Sequence, residues 1–176
     1  MKAFKEYMDT YKKNDPSARS TLEIVLTYPG VWAMFYHRIA HFLYNHQLKL
    51  LARMISMHAR WLTGIEIHPG ATIGRRFFID DGMGIVIGQT TIIGDDVLMF
   101  HGVTLGGRGD VTGKRHPTIE DGVLLSAHSQ IIGNVTIGRK AKIGASAVVL
   151  KDIPEGVTAV GVPAVVVKTK EENQII

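Results

Sequence analysis

Asp80 and Asp81 stand side by side ahead of Gly82-Met83-Gly84, with a further carboxylate, Glu66, upstream. Crowded carboxylates repel one another. Burial beside like charge raises one of them toward the range where it accepts a proton near neutrality. A second reactive group is Lys114-Arg115-His116-Pro117. A guanidinium fork matches a carboxylate, and an imidazole titrates near neutral pH. Without cysteine the chain has no thiol nucleophile, thiolate metal ligand or disulfide. His37 and His41 have the i,i+4 spacing of a ligand pair, but no third ligand accompanies them, so no metal is expected. Together with His46 and His58 they are expected on helix surfaces or in the core. Gly106-Gly107 alone is too little to define a phosphate loop. Taken singly, Asp80-Asp81 also fits an ordinary turn, and Lys114 and Arg115 fit loop charges. The elements that carry these residues must decide.

Those elements repeat with a period of six. Aliphatic residues recur at Ile67, Ile73, Ile79 and Ile85, again at Ile87, Ile93, Met99 and Leu105, and again at Ile119, Leu125, Ile131, Ile137, Ile143 and Val149. Neither a helix period of 3.6 nor a strand alternation of two produces this spacing. A triangular solenoid does: each hexapeptide is one short face, its aliphatic residue points inward, and three faces make a coil. The expected fold is a left-handed parallel β-helix of about five coils. Glycines, Asp95 and Asn134 fall where corners need unusual backbone angles. The register slips by two after Asp80-Asp81-Gly82-Met83-Gly84 and by eight between Leu105 and Ile119. The second slip is a loop leaving a rigid scaffold, a frequent place for function.

Upstream the period is helical. Trp32, Phe35, Tyr36, Ile39 and Leu43 share one face, and Leu51, Met54, Ile55, His58 and Leu62 share another. Two helices, about 30–46 and 48–62, are expected to form an N-terminal α-helical cap over the open first coil, with Trp32 and Trp61 in the core. The organisation is therefore a helical segment over 1–63, the β-helix over 64–167, and a flexible polar tail over 168–176.

The net charge of +4 suits an anionic ligand such as a nucleotide cofactor, and equally ordinary solubility. No basic stripe with interleaved aromatics points to nucleic acid. No apolar run approaches the roughly 18 residues of a membrane span, and no secretory leader is evident. A cytoplasmic location fits.

The segments Gly64-Ile65-Glu66-Ile67-His68-Pro69-Gly70-Ala71, Gly102-Val103-Thr104-Leu105-Gly106-Gly107, Lys114-Arg115-His116-Pro117 and Gly161-Val162-Pro163-Ala164 together resemble bacterial serine O-acetyltransferases. The resemblance runs from about Asn14 to Val167, with most of the family's N-terminal helical domain lacking. It implies acetyl transfer from acetyl-CoA to the L-serine hydroxyl, giving O-acetylserine for cysteine synthesis. It implies a histidine base oriented by a carboxylate, because a serine hydroxyl is a poor nucleophile until a base takes its proton. By the same resemblance Glu66 is the orienting carboxylate, a position that is Asp in some relatives. Asp15 and Asp80 hold the serine ammonium, Arg115 binds the serine carboxylate, and His116 lines the same pocket. Gly107, Ala127 and Ala145 lie along the pantetheine arm, between subunits of a homotrimer. A dimer of trimers is compatible with the short helical region. The terminal Ile176 corresponds to the residue that relatives insert into O-acetylserine sulfhydrylase.

The chain departs from the family pattern at Asp81, where a histidine is the base. Gln89 stands where Glu is common, and Ser126 and His128 stand where small glycines are usual. His68 and His101 fit structural or subunit-interface roles. Three readings follow. Either another group, Asp81 among crowded carboxylates or His116, supplies the base; or the chain is a catalytically impaired homologue retained as a binding or regulatory partner of the sulfhydrylase; or it acylates another small acceptor.

Overall fold

The computed structural model describes residues 2–109 and 112–168. Four helices come first: α1 (Lys2–Asn14), α2 (Thr21–Thr27), α3 (Pro29–Asn45) and α4 (Lys49–Thr63). The last two match the expected pair. The first two were not expected. Tyr7, Met8 and Tyr11 give α1 its inner face, and Met8 and Tyr11 are buried against Ile24 of α2 and Phe78. The N-cap Ser20 accepts a hydrogen bond from the Glu23 N–H at 3.1 Å and starts α2.

Short strands follow: β1 (Glu66–Ile67), β2 (Thr72–Ile73), β3 (Phe78–Ile79), β4 (Val86–Ile87), β5 (Ile92–Ile93), β6 (Leu98–Met99), β7 (Thr104–Gly106), β8 (Thr118–Ile119), β9 (Leu124–Leu125), β10 (Gln130–Ile132), β11 (Thr136–Ile137), β12 (Lys142–Ile143), β13 (Val148–Val149), β14 (Thr158–Val160) and β15 (Val165–Lys168). They stack into the three faces of a left-handed parallel β-helix. The first face is β1-β4-β7-β10-β13, the second β2-β5-β8-β11, and the third β3-β6-β9-β12-β14, closed by the antiparallel β15. The six-residue aliphatics point inward: Ile67, Ile87, Leu105, Ile131 and Val149 from the first face, Ile73, Ile93, Ile119 and Ile137 from the second, and Ile79, Met99, Leu125 and Ile143 from the third. Each buried side chain contributes roughly 1.5–3 kcal/mol relative to exposure, so the column is what holds the prism together.

Register explains both slips. Val86 pairs with Thr104, and Gln130 with Val148, each eighteen positions on, which is three hexapeptides. Glu66 pairs with Val86 twenty positions on, so the first coil carries two extra residues at the Asp80–Gly84 corner. Thr104 pairs with Gln130 across the coil that carries the eight-residue loop. Corner geometry differs from expectation by one residue. The left-handed backbone falls on Asp96 (φ 58°) and Gly133 (φ 104°), not on Asp95 and Asn134.

The helices cover the open first coil. Ser56 Oγ donates to the Ile67 carbonyl at 2.6 Å. Arg38 donates to the carbonyls of Ile73 and Gly74 at 3.1 and 2.9 Å. These side chains satisfy carbonyls that have no coil beneath them. Helix α4 ends on Gly64 at φ 70°, with the Gly64 N–H on the Arg60 carbonyl. Trp61 and Trp32 both correct the expectation of core residues: both are exposed, Trp61 the more so, on the sides of α4 and α3 that face away from the coil. Among the described residues no helix is long and apolar enough to cross a membrane.

Candidate active site

The chemically capable residues gather at two opposite edges of the first face. One edge is the corner between β3 and β4, together with the corners stacked above it. The other is the corner between β4 and β5, covered by the loop before β8.

At the first edge, α1 ends at Asn14 and presents Asp15. Asp15 Oδ1 accepts from the Ser17 N–H and hydroxyl, both at 2.7 Å, and Asp15 Oδ2 accepts from the Tyr28 hydroxyl. These donors, Tyr28 first, hold the Asp15 carboxyl below the usual carboxylate range. Asp80 leaves β3 partly buried. Burial raises its carboxyl first, followed by the charges of Asp81 and Asp15, while the Asp81 N–H and His101 act the other way. The crowding of carboxylates is therefore real, but its members are Asp15, Asp80 and Asp81. Glu66 has a partner of its own: its carboxylate sits 3.2 Å from the Arg60 guanidinium in the last turn of α4.

Asp81 occupies a left-handed corner position at φ 56°, and its side chain is 74 % exposed. One coil further, His101 places Nδ1 3.6 Å from Asp81 Oδ2. The next coil adds His128, whose ring meets the His101 ring edge-on at 4.9 Å. His128 fits because Gly102 has no side chain: a Cβ there would collide with the imidazole. Ala127 belongs to this same column, and Ala145 stands one coil above it, the Ser146 N–H bonding the Ala127 carbonyl at 2.9 Å.

The second edge is wired through Thr90. Its hydroxyl accepts from the Arg115 and His116 N–H groups at 3.0 and 3.1 Å and lies 2.9 Å from His116 Nδ1. The Thr90 N–H also donates to Nδ1, at 3.2 Å. Nδ1 therefore accepts, and the proton of neutral His116 sits on Nε2, which lies beside Gly88 and Gly107. Burial, then the charges of Arg115 and Lys114, push the His116 imidazole below its ordinary range and keep it neutral. Its ring packs into the space left by Gly88 and beside Gly107. His68 lies close by and is pushed down to about 4, by burial first and then by Arg53, His116 and Arg115. Gln89 donates to the Tyr44 hydroxyl at 2.9 Å.

The sequence-derived candidates thus divide. Asp15, Asp80, Asp81, Ala127 and Ala145 share one edge; Gly107, Arg115 and His116 share the other; Glu66 lies on the outer surface of β1. Sequence reasoning passed over three contributors: Tyr28 on Asp15, Thr90 under His116, and His101 beside Asp81. The third was legible from register, since His101 follows Asp81 by one twenty-residue coil. Within the pair His37 and His41, the fold itself fixes both rings. Burial pushes His37 down to about 3, and His41 Nδ1 bonds the Pro69 carbonyl at 2.8 Å. Among the described residues no group of three or more His, Cys, Asp or Glu is placed to hold a metal. Ile176 and the expected tail lie outside the described residues, apart from Lys168 at the end of β15.

Residues 116–151 match the family model described as bacterial transferase hexapeptide (six repeats). The serine acetyltransferase of Bacillus pumilus is 57% identical over 166 residues, covering 94% of this chain and 76% of that protein. The structure of soybean serine acetyltransferase complexed with serine superposes with a TM-score of 0.90 at 41% identity, covering 94% of this chain and 68% of the other. The Brucella abortus serine acetyltransferase in complex with coenzyme A superposes with a TM-score of 0.92 at 37% identity, covering 95% and 67%. With likeness of this degree over nearly its whole length, the chain belongs to the serine acetyltransferase family.

Proposed function

We propose that the protein transfers acetyl from acetyl-CoA to the L-serine hydroxyl at a site shared by two copies of the chain. The Asp15–Asp80–Asp81 edge of one copy faces the Arg115–His116 edge of the next. The observation that carries this reading is that ammonium-binding and carboxylate-binding groups stand on opposite edges of one face. A zwitterionic amino acid needs both within a few ångströms. Joining unlike edges around a threefold axis closes a ring, so a homotrimer is the simplest assembly. Exposed Phe35, Phe42, Leu50, Met54 and Trp61 on α3 and α4 offer a surface for a dimer of trimers.

Each group then has a task. Asp80 is held out of its ordinary range by burial and by neighbouring carboxylates, and a serine ammonium between Asp15 and Asp80 relieves that repulsion. Arg115 forks the serine carboxylate, and His116 donates from Nε2 beside it. The pantetheine arm runs along Ala127 and Ala145, with Gly107 of the neighbouring copy leaving it room. Glu66, tied to Arg60, forms part of the wall between the edges. The proton acceptor belongs to the Asp81 corner, where the hydroxyl of a serine held by Asp80 would lie. The product, O-acetylserine, feeds cysteine synthesis in the cytoplasm. Ile176 is the residue we assign to binding O-acetylserine sulfhydrylase, and its deletion should abolish co-elution with that enzyme.

The test is thiol release from acetyl-CoA in the presence of L-serine, run beside light scattering for the assembled mass. Serine-dependent release from a trimer or its multiple is expected. Release that ignores serine, or full activity in a monomer, would contradict the reading.

A further inference from the structure

The corner that holds Asp81 also holds the imidazole of His101. Asp81 is a weak candidate for the base on its own account. Its side chain is three-quarters exposed and open to water, a poor setting for holding a proton in transit between substrates. His101 is different. Its side chain is 37% exposed, its Nδ1 is buried, and among the described residues no hydrogen-bond partner satisfies that nitrogen. The nearest opposite charge is Asp81 Oδ2 at 3.6 Å, a distance that a small side-chain rotation would shorten to a hydrogen bond. Reactive hydrogen bonds are often this long before substrate arrives. The groups around the ring are Asp81, Asp80 and the edge-on His128, which restricts how the ring can turn.

We propose that His101, oriented by Asp81 from the coil below, is the general base of this protein. A carboxylate facing Nδ1 keeps the neutral ring's proton there and leaves the Nε2 lone pair free. It also favours the imidazolium that forms during reaction. His101 Nε2 takes the serine hydroxyl proton as the serine oxygen bonds the acetyl carbonyl carbon. The tetrahedral intermediate then releases the CoA sulfur, which receives that proton from His101. Serine and acetyl-CoA become O-acetylserine and CoA thiol, and the imidazole returns to neutral. Asp81 is a positioning residue in this scheme. The proposal rests on the acetyl-transfer reading.

The experiment compares serine-dependent thiol release by the unaltered protein, His101→Gln, Asp81→Asn and Asp81→His, with acetyl-CoA binding followed by calorimetry. His101→Gln should lose on the order of 100- to 10,000-fold in kcat. It should keep its acetyl-CoA affinity and its serine KM within about threefold, and regain part of its rate with added imidazole. Asp81→Asn should lose less, and in kcat rather than in serine KM, since the ring loses only the carboxylate that orients it. A His101→Gln rate within threefold of the unaltered protein would overturn the proposal. An inactive unaltered protein whose Asp81→His variant turns over would also overturn it, while leaving the acetyl-transfer reading in place. No turnover in any form would overturn both.

Discussion

The two edges of the first face differ in how tightly their side chains are held. At the Arg115–His116 edge a single threonine hydroxyl joins two backbone N–H groups and an imidazole, and the ring fills the gap over Gly88. At the Asp81 edge the carboxylate is exposed, the imidazole nitrogen of His101 is unsatisfied, and Asp80 is strained electrostatically by its neighbours. Locked groups suit recognition of a fixed shape such as a carboxylate. Groups left short of partners suit a ligand that brings the missing charge and hydrogen bonds with it. On the proposed function, the locked edge takes the serine carboxylate, and the other takes the ammonium and the hydroxyl proton.

The comparison breaks first at the charged groups. Arg115→Ala should lower kcat/KM for serine on the order of 100-fold through KM, because a charge-assisted fork is lost. Asp80→Asn should cost on the order of tenfold or more, also in serine binding; steady-state kinetics at varied serine separates both from a kcat effect. Thr90→Val tests whether the second edge is wired as described. It strands two backbone N–H groups and releases His116, so a loss of about 2 kcal/mol in stability is expected from thermal melts. A roughly tenfold loss in serine kcat/KM should accompany it.

Two matched glycine variants sharpen the contrast further. Gly88→Ala drives a methyl into the buried ring of His116, and Gly102→Ala drives one into the ring of exposed His128. The exposed ring can swing away, so Gly102→Ala should cost mainly the backbone strain of φ 68°, about 1 kcal/mol. Gly88→Ala should cost more in both melting temperature and serine affinity. Equal effects would mean that the edges are equally rigid.

A separate effect, away from both edges, concerns acid stability. His37 is pushed down to about 3 by burial, against an ordinary 6.5. Above 6.5 the ring is neutral whether the chain is folded or not, and its stability contribution is complete. As pH falls from 6.5 toward 3, the unfolded chain takes up a proton that the folded chain refuses, and stability is lost. Melting temperature should therefore decline below about pH 6.5, and His37→Phe should flatten that decline.

The solenoid was legible because its signal is additive: fourteen aliphatic positions in step leave no other period. Helices α3 and α4 were legible from their apolar spacing, but not which side packs: Phe35, Met54 and Leu62 are exposed, while small residues such as Ala33, Ala40, Ala52 and Ser56 are buried. Helix α1 carries only Tyr7, Met8 and Tyr11 as buried-face residues among lysines, and the seven-residue α2 is announced by one capping pair, Ser20 and Glu23. Signals that short are lost unless a cap is sought deliberately. In the site, the chemistry of Arg115 and Asp80 could be named from a motif, but their separation could not, because it depends on which corner each occupies. His101 beside Asp81 needed the true coil length. A uniform coil of eighteen places Met99 rather than His101 above Asp81; only the two extra residues of the first coil bring the imidazole over the carboxylate.

The central claim is that one catalytic site takes its two halves from two copies of the chain. Its most direct test mixes two crippled variants, Asp80→Asn and Arg115→Ala, by co-expression or by refolding together, and measures serine-dependent thiol release from the hybrids. Each interface joins one edge from each copy, so random mixing leaves about a quarter of the sites with both halves intact. At serine well below KM the account predicts that the mixture regains about a quarter of the unaltered rate, roughly two- to threefold above the Asp80→Asn parent and far above the Arg115→Ala parent. A mixture no more active than its parents, in hybrids shown to have formed, would contradict it and place the whole site within one chain.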